Sequence, residues 1–124
     1  MANIIVKIIP EDNLTIFSVE GDLSANEIIK YSTEYYDEKP TKYVLWDATK
    51  GSVGKIESSD FNRIAINLKK HTKKRAGGKT ALVGKFDIDF GYARMYEAYA
   101  DLEEIPITYK VFRNADDAIK WLQS

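Results

Sequence analysis

Two β-rich runs open the chain, Asn3 to Ile9 and Leu14 to Glu20, separated by Pro10-Glu11-Asp12-Asn13, residues that favour turns. The arrangement predicts an antiparallel hairpin. In the second run Leu14 and Ile16 alternate with Thr15, Phe17 and Val19, so apolar groups fall on both faces and the strand should be covered on both sides. Gly21-Asp22 ends it.

From there the period lengthens to that of helices. Ser24 followed by Glu27 forms a capping box, in which each side chain satisfies a backbone N–H at a helix start. The helix should run to about Asp37 with Ile28, Ser32, Tyr35 and Ile29, Tyr36 inward, and Lys39-Pro40 stops it. Tyr43 to Ala48 reads as a short buried strand. A helix from about Ser59 to Lys74 then turns Phe61, Ile64, Ala65 and Leu68 to the core. Gly77-Gly78 supplies the left-handed or extended backbone that leads into a strand at Thr80 to Gly84. A further helix is expected from about Phe90 to Leu102, capped by Asp89, with Ala93, Tyr96 and Ala100 on one stripe. Pro106 precedes the strand Ile107 to Phe112, and Asn114 caps a closing helix whose Ala115, Ala118, Ile119 and Leu122 face inward. The order β-β-α-β-α-β-α-β-α predicts one layered α/β domain. It should have a mixed five-stranded sheet, one antiparallel strand from the N-terminal hairpin, and about four helices. The order of strands within the sheet is not legible at this level.

Composition narrows the function classes. At 124 residues and 14.1 kDa the chain fits a single domain able to bury a core without disulfides or a structural metal. Eighteen basic against nineteen acidic residues leave a formal charge of −1, which gives no global attraction to nucleic acid or to anionic membranes. There is no cysteine, which excludes thiol catalysis and zinc-thiolate sites. No stretch approaches the roughly 20 apolar residues of a membrane span, and the apolar start is too short for a signal peptide, so a cytoplasmic protein is expected.

Three phrases, YVLWDAT from Tyr43, GYARMYEAYA from Gly91 and YKVFRNADDAIKWL from Tyr109, resemble in order and spacing the SpoIIAA-like branch of the STAS superfamily, the domains of sulfate transporters and anti-sigma-factor antagonists. The resemblance covers almost the whole chain. It implies a SpoIIAA/STAS-like fold and non-enzymatic work, either regulated protein contact or carriage of a small, often apolar, ligand. Antagonists of this superfamily resemble one another in an Asp-Ser-Ser-Gly helix start where a serine is phosphorylated. Here the place reads Glu57-Ser58-Ser59-Asp60, which makes Ser58 and Ser59 the candidate phosphorylation sites and departs from the pattern at the glycine. Flanking carboxylates oppose a phosphate there, so the alternative is that one serine simply caps the helix.

The loop after the Tyr43 strand places Asp47, Thr49, Lys50 and Lys55 at the carboxyl edge of the sheet, where open α/β sheets gather ligands and partners. Asp47, Asp87 and Asp89 could together hold a hard cation, but each serves equally in turns and caps, and no metal or other cofactor is assigned. The run Lys69 to Lys79 lacks interleaved aromatics and reads as a solvated helix end rather than a nucleic-acid site. Gly78-Lys79-Thr80 lacks the first glycine and the strand-to-helix order of a phosphate loop. With His71 the single histidine, no catalytic residue is assigned. The most unusual feature is aromatic density: Phe86, Phe90, Tyr92, Tyr96 and Tyr99 lie in one loop and helix. Some of these should line a pocket or a contact surface.

Two readings follow. One is a non-catalytic regulatory or protein-interaction module that acts through the loops around Asp47 to Ser59 and Phe86 to Phe90, with a homodimer through exposed tyrosines among the options. The other is a carrier of a small apolar, lipid-like ligand enclosed by Phe86, Phe90, Tyr92 and Tyr96. An apolar pocket of a few hundred cubic ångströms separates the second from the first, which expects a filled core.

Overall fold

The computed structural model describes residues 2–38, 40–52, 56–85 and 87–124, and only the backbone of Ser58, Ile88, Asp89 and Phe90. In chain order the elements are β1 (Asn3–Ile9), β2 (Leu14–Asp22), α1 (Ala25–Asp37), β3 (Tyr43–Ser52), α2 (Ser58–Lys69), β4 (Gly78–Val83), α3 (Asp87–Leu102), β5 (Ile107–Phe112) and α4 (Ala115–Leu122). The sheet order is β1-β2-β3-β4-β5. β1 runs antiparallel to β2, and the other neighbours are parallel.

Because each crossover moves one strand in the same direction, α1, α2 and α3 lie side by side on one face, α1 against α2 and α2 against α3. The closing helix α4 has no further strand to reach and packs on the other face against β3, β4 and β5. Strand alternation serves both layers. Leu14, Leu45, Ala81 and Val83 meet Ala118 and Leu122 of α4, while Phe17, Val44 and Trp46 point toward the three helices.

Several boundaries differ from the sequence expectation. β2 and β3 run on to Asp22 and Ser52 because Gly21 pairs with Gly51; a Cβ at Gly51 would lie 2.5 Å from the Gly21 carbonyl oxygen. Predicted to reach Lys74, α2 stops at Lys69, and Thr72–Arg75 form a separate 3-10 turn. The next helix starts at Asp87, so Asp89 lies inside its first turn and is not its cap. Neither Ser58 nor Ser59 caps α2: Glu57 holds the cap position, its N–H bonded to Asp60 at 3.1 Å.

The basic run is corrected most. Lys74 Nζ donates to the Tyr36 carbonyl at the end of α1, at 2.9 Å, and Lys79 Nζ donates to the Trp121 carbonyl at the end of α4, at 3.1 Å. These cations meet the negative ends of two other helices rather than that of α2. Arg75 is 4% exposed and lies under the sheet.

Candidate functional site

The sheet's α4 face is filled, whereas its three-helix face is not. Between β2–β5 and α1–α3 lies a partly open cavity of about 110 Å³. Phe17, Val44, Trp46 and Leu82 form its sheet wall; Ile28, Phe61, Ile64, Leu68 and Ala93 come from the helices. Phe17 and Trp46 stack with ring centroids 4.3 Å apart, a rigid aromatic floor that leaves the space beside it open. A gap that no side chain fills forfeits dispersion contacts along its lining, so its persistence in a core is a feature to be explained.

The end of the cavity nearest the start of β4 is polar. Arg75 projects from the 3-10 turn and uses all five guanidinium N–H groups. Nε donates to the Thr41 carbonyl at 2.8 Å, Nη2 to the carbonyls of Lys42 and Lys79, and Nη1 to Thr80 Oγ1 at 3.0 Å and the Tyr36 hydroxyl at 3.4 Å. Gly78 makes this possible by packing under the Lys42 carbonyl, where a Cβ would approach to 2.3 Å. Thr41 ties the same corner together, accepting the Tyr35 hydroxyl on its carbonyl at 2.6 Å and donating to the Tyr43 carbonyl at 2.8 Å. Among the described residues, no carboxylate pairs with Arg75.

Three more hydroxyls line this end: Ser32, Tyr96 and Tyr109. The Tyr96 and Tyr109 rings meet edge to face at 5.3 Å between centroids. Part of Tyr96 is exposed, but its hydroxyl is enclosed, and burial pushes its pKa up to about 12. Burial likewise drives the Tyr109 phenol well above its ordinary value, and raises that of Tyr35 against the opposing Arg75 charge.

Of the residues singled out from the sequence, Tyr96 lines the cavity. Tyr92 is half-buried against Phe61, a cavity residue, at 5.5 Å between centroids. Phe86 and Lys55 lie outside the described residues, as do the side chains of Phe90, Ser58 and Asp89. Asp47 accepts the Thr49 N–H at 2.9 Å and the Thr49 hydroxyl at 2.7 Å, a local clasp within β3 rather than in a loop after it, and Lys50 is exposed. Asp87 pairs with Arg113 at 2.6 Å, and no group of metal-ligating residues occurs among the described side chains. Ser59 is exposed in the first turn of α2. The tyrosines of α3 do not form an exposed face: Tyr92, Tyr96 and Tyr99 are all half-buried. Large exposed apolar side chains among the described residues are Ile66 on α2, Leu102 at the end of α3, and a group of three on the edge strand β1, Ile5, Val6 and Ile8. Residue reasoning missed Arg75, whose signal was hidden inside a run of solvated lysines.

The carboxyl edge of the sheet, where a site was expected, carries an open cleft lined by Asp22, Glu27, Asp60 and Arg63. Most of its charged groups already have local partners. Arg63 bonds Asp60 and Asn26, and Glu27 accepts the N–H groups of Ser24 and Ala2. Burial opposes ionisation of Glu27, but these bonds outweigh it and hold its carboxyl below the usual range.

A crystal structure of an uncharacterized DUF3478-family protein with a SpoIIAA-like fold, from Shewanella loihica PV-4, superposes on this chain with a TM-score of 0.57. The alignment covers 98% of this chain and 93% of that one at 19% identity. The fold is SpoIIAA-like. No protein-family profile and no curated protein matches the sequence. The SpoIIAA-like architecture agrees with the resemblance carried by YVLWDAT and YKVFRNADDAIKWL. No helix among the described residues is long and apolar enough to cross a membrane.

Proposed function

We propose that the protein is a non-catalytic carrier or sensor of a small apolar ligand held between the sheet and α1–α3. The observation that carries this reading is the unfilled, aromatic-floored cavity of about 110 Å³ on one face of an otherwise packed sheet. Its size sets the ligand class. The space is smaller than the few hundred cubic ångströms expected from the sequence for a lipid carrier. Engineered apolar cavities of roughly 150 Å³ take up benzene, so this smaller but partly open space sets an upper bound of a single ring or a chain of about six carbons and does not suit a long acyl chain. The reading is supported by Tyr96 and Ala93 of α3, which line the cavity, and by Tyr92, whose ring lies against that of Phe61.

The test uses toluene. The chain has two tryptophans, so Trp121→Phe leaves Trp46, in the cavity wall, as the reporter. Toluene at about ten times its dissociation constant should shift Trp46 emission and raise the thermal midpoint by about 3–8 °C. Unchanged emission and midpoint up to the solubility limit would refute the carrier reading.

A second reading, contact with another protein chain, is favoured by β1. That strand leaves one edge unpaired and exposes Ile5 (57%), Val6 (46%) and Ile8 (54%), with Lys7 as its one charge. Such an edge can template pairing with a second copy. Light scattering at increasing concentration should detect a dimer that Val6→Lys abolishes; a strict monomer removes this reading.

A further inference from the structure

The polar end of the cavity holds hydroxyl protons that have no acceptor. Ser32 and Tyr36 stand one turn apart on the same face of α1, are 7% and 3% exposed, and both line the space. Tyr36 receives an N–H from Arg75 on its oxygen, so its own O–H points elsewhere, and no described residue accepts it. The Ser32 hydroxyl likewise bonds to no described group. Tyr96 and Tyr109 meet edge to face in the same lining, and even one hydrogen bond between their two phenols would leave an O–H over. Buried donors of this kind are costly unless a partner arrives.

Beside them sits a buried cation. Arg75 is the one charged residue among the described residues that line the cavity. Its N–H groups are satisfied by neutral carbonyls and hydroxyls, so its hydrogen bonding is complete while its charge is not balanced. Convergent hydroxyl donors in the field of an unbalanced cation suit a group that accepts several hydrogen bonds and carries a negative charge. Opposite that end the walls are Phe17, Leu23, Trp46, Ala48 and Phe61, which can accept only hydrocarbon.

Resting on the carrier reading above, we infer that the ligand is a small monocarboxylate. Its carboxylate would receive hydrogen bonds from Ser32, Tyr36 and the Tyr96–Tyr109 pair beside Arg75, and its body of about six carbons would lie along Phe17 and Trp46. Arg75 acts through its field and keeps its structural bonds; the hydroxyls make the direct contacts.

The discriminating experiment is calorimetric titration of the full chain with hexanoate and with 1-hexanol at pH 7, repeated on Tyr36→Phe and Ser32→Ala. Charged hydrogen bonds in a buried site predict that hexanoate binds at least about tenfold tighter than hexanol. Tyr36→Phe, which keeps the ring and leaves Arg75 in place, should reduce that ratio to about threefold or less, and hexanol affinity in the variants reports that the cavity is still formed. Equal affinity for the two ligands, hexanol binding alone with water satisfying the hydroxyls, or a ratio untouched by both substitutions would each overturn the carboxylate while leaving the carrier standing. Binding of neither ligand would overturn both.

Discussion

One sheet presents two faces that have been built differently. Toward α4, the aliphatic side chains Leu14, Leu45, Ala81 and Val83 interlock with Ala118 and Leu122, with Tyr43, Phe112 and Trp121 at the margin. Toward α1–α3 the same strands contribute Thr15, Thr80 and Tyr109 as well as Phe17 and Val44, and the layer contains a buried guanidinium, a set of hydroxyls and a void. A face that serves only stability approaches close packing. The other accepts polar groups and lost contacts, and it is the side on which the proposed ligand would sit. One helix can settle onto its strands without competing neighbours, whereas three helices packed on one another span wider gaps, and large side chains such as Tyr36, Phe61 and Tyr96 bridge them incompletely.

Breaking the polar frame should have the largest effect. Arg75→Ala takes one donor each from the carbonyls of Thr41, Lys42 and Lys79 and empties a buried corner, and should cost about 3–5 kcal/mol in urea unfolding. A loss below about 1 kcal/mol would show that the three-helix face does not depend on this residue. On the filled face, Leu45→Ala should cost about 3 kcal/mol, the usual penalty of opening a hole in a packed core. Adding volume sharpens the contrast. Ala81→Leu, at 0% exposure against α4, should cost about 1–3 kcal/mol, whereas Ala93→Leu should cost under about 0.5 kcal/mol and eliminate the toluene-induced midpoint shift. Equal penalties at the two alanines would mean that the faces are equally full.

The tyrosines give a test by pH. Burial raises the folded pKa of Tyr96 from the ordinary 10.0 to about 12, so its contribution to stability is complete below about pH 10. As pH rises from 10 to 12 the unfolded phenol ionises while the folded one does not, and that contribution is lost. Unfolding midpoints should fall across this window, and less so in Tyr96→Phe; parallel curves would mean that the phenol is not held in its neutral form. A modest effect, independent of the cavity, belongs to the cap of α4. Asn114→Ala removes the side-chain acceptor of the Asp117 N–H and should cost about 1 kcal/mol whether or not a ligand is bound.

Local rules carried element type and order, because hydrophobic period, capping pairs such as Ser24 with Glu27, and the Gly77 turn act over a few residues. Gly77 does take the left-handed conformation, at φ 82°. Boundaries slipped where a distant strand intervened, as when Gly21 met Gly51 and carried β2 and β3 past their expected ends. The rim reading from Asp47 to Lys50 followed a rule about sheet edges, yet those residues belong to the extended β3 while the cavity lies beneath α1–α3.

The chain by itself determined a five-stranded α/β layer with a hairpin start, because period and turn chemistry are written into neighbouring residues. Only the tertiary structure decided that Arg75 leaves a lysine run to become the buried corner of a cavity, with Ser32 and Tyr36 turned toward it. Burial and partnership are properties of groups some thirty residues apart, such as Arg75 and the Thr41 carbonyl, and no local pattern encodes them.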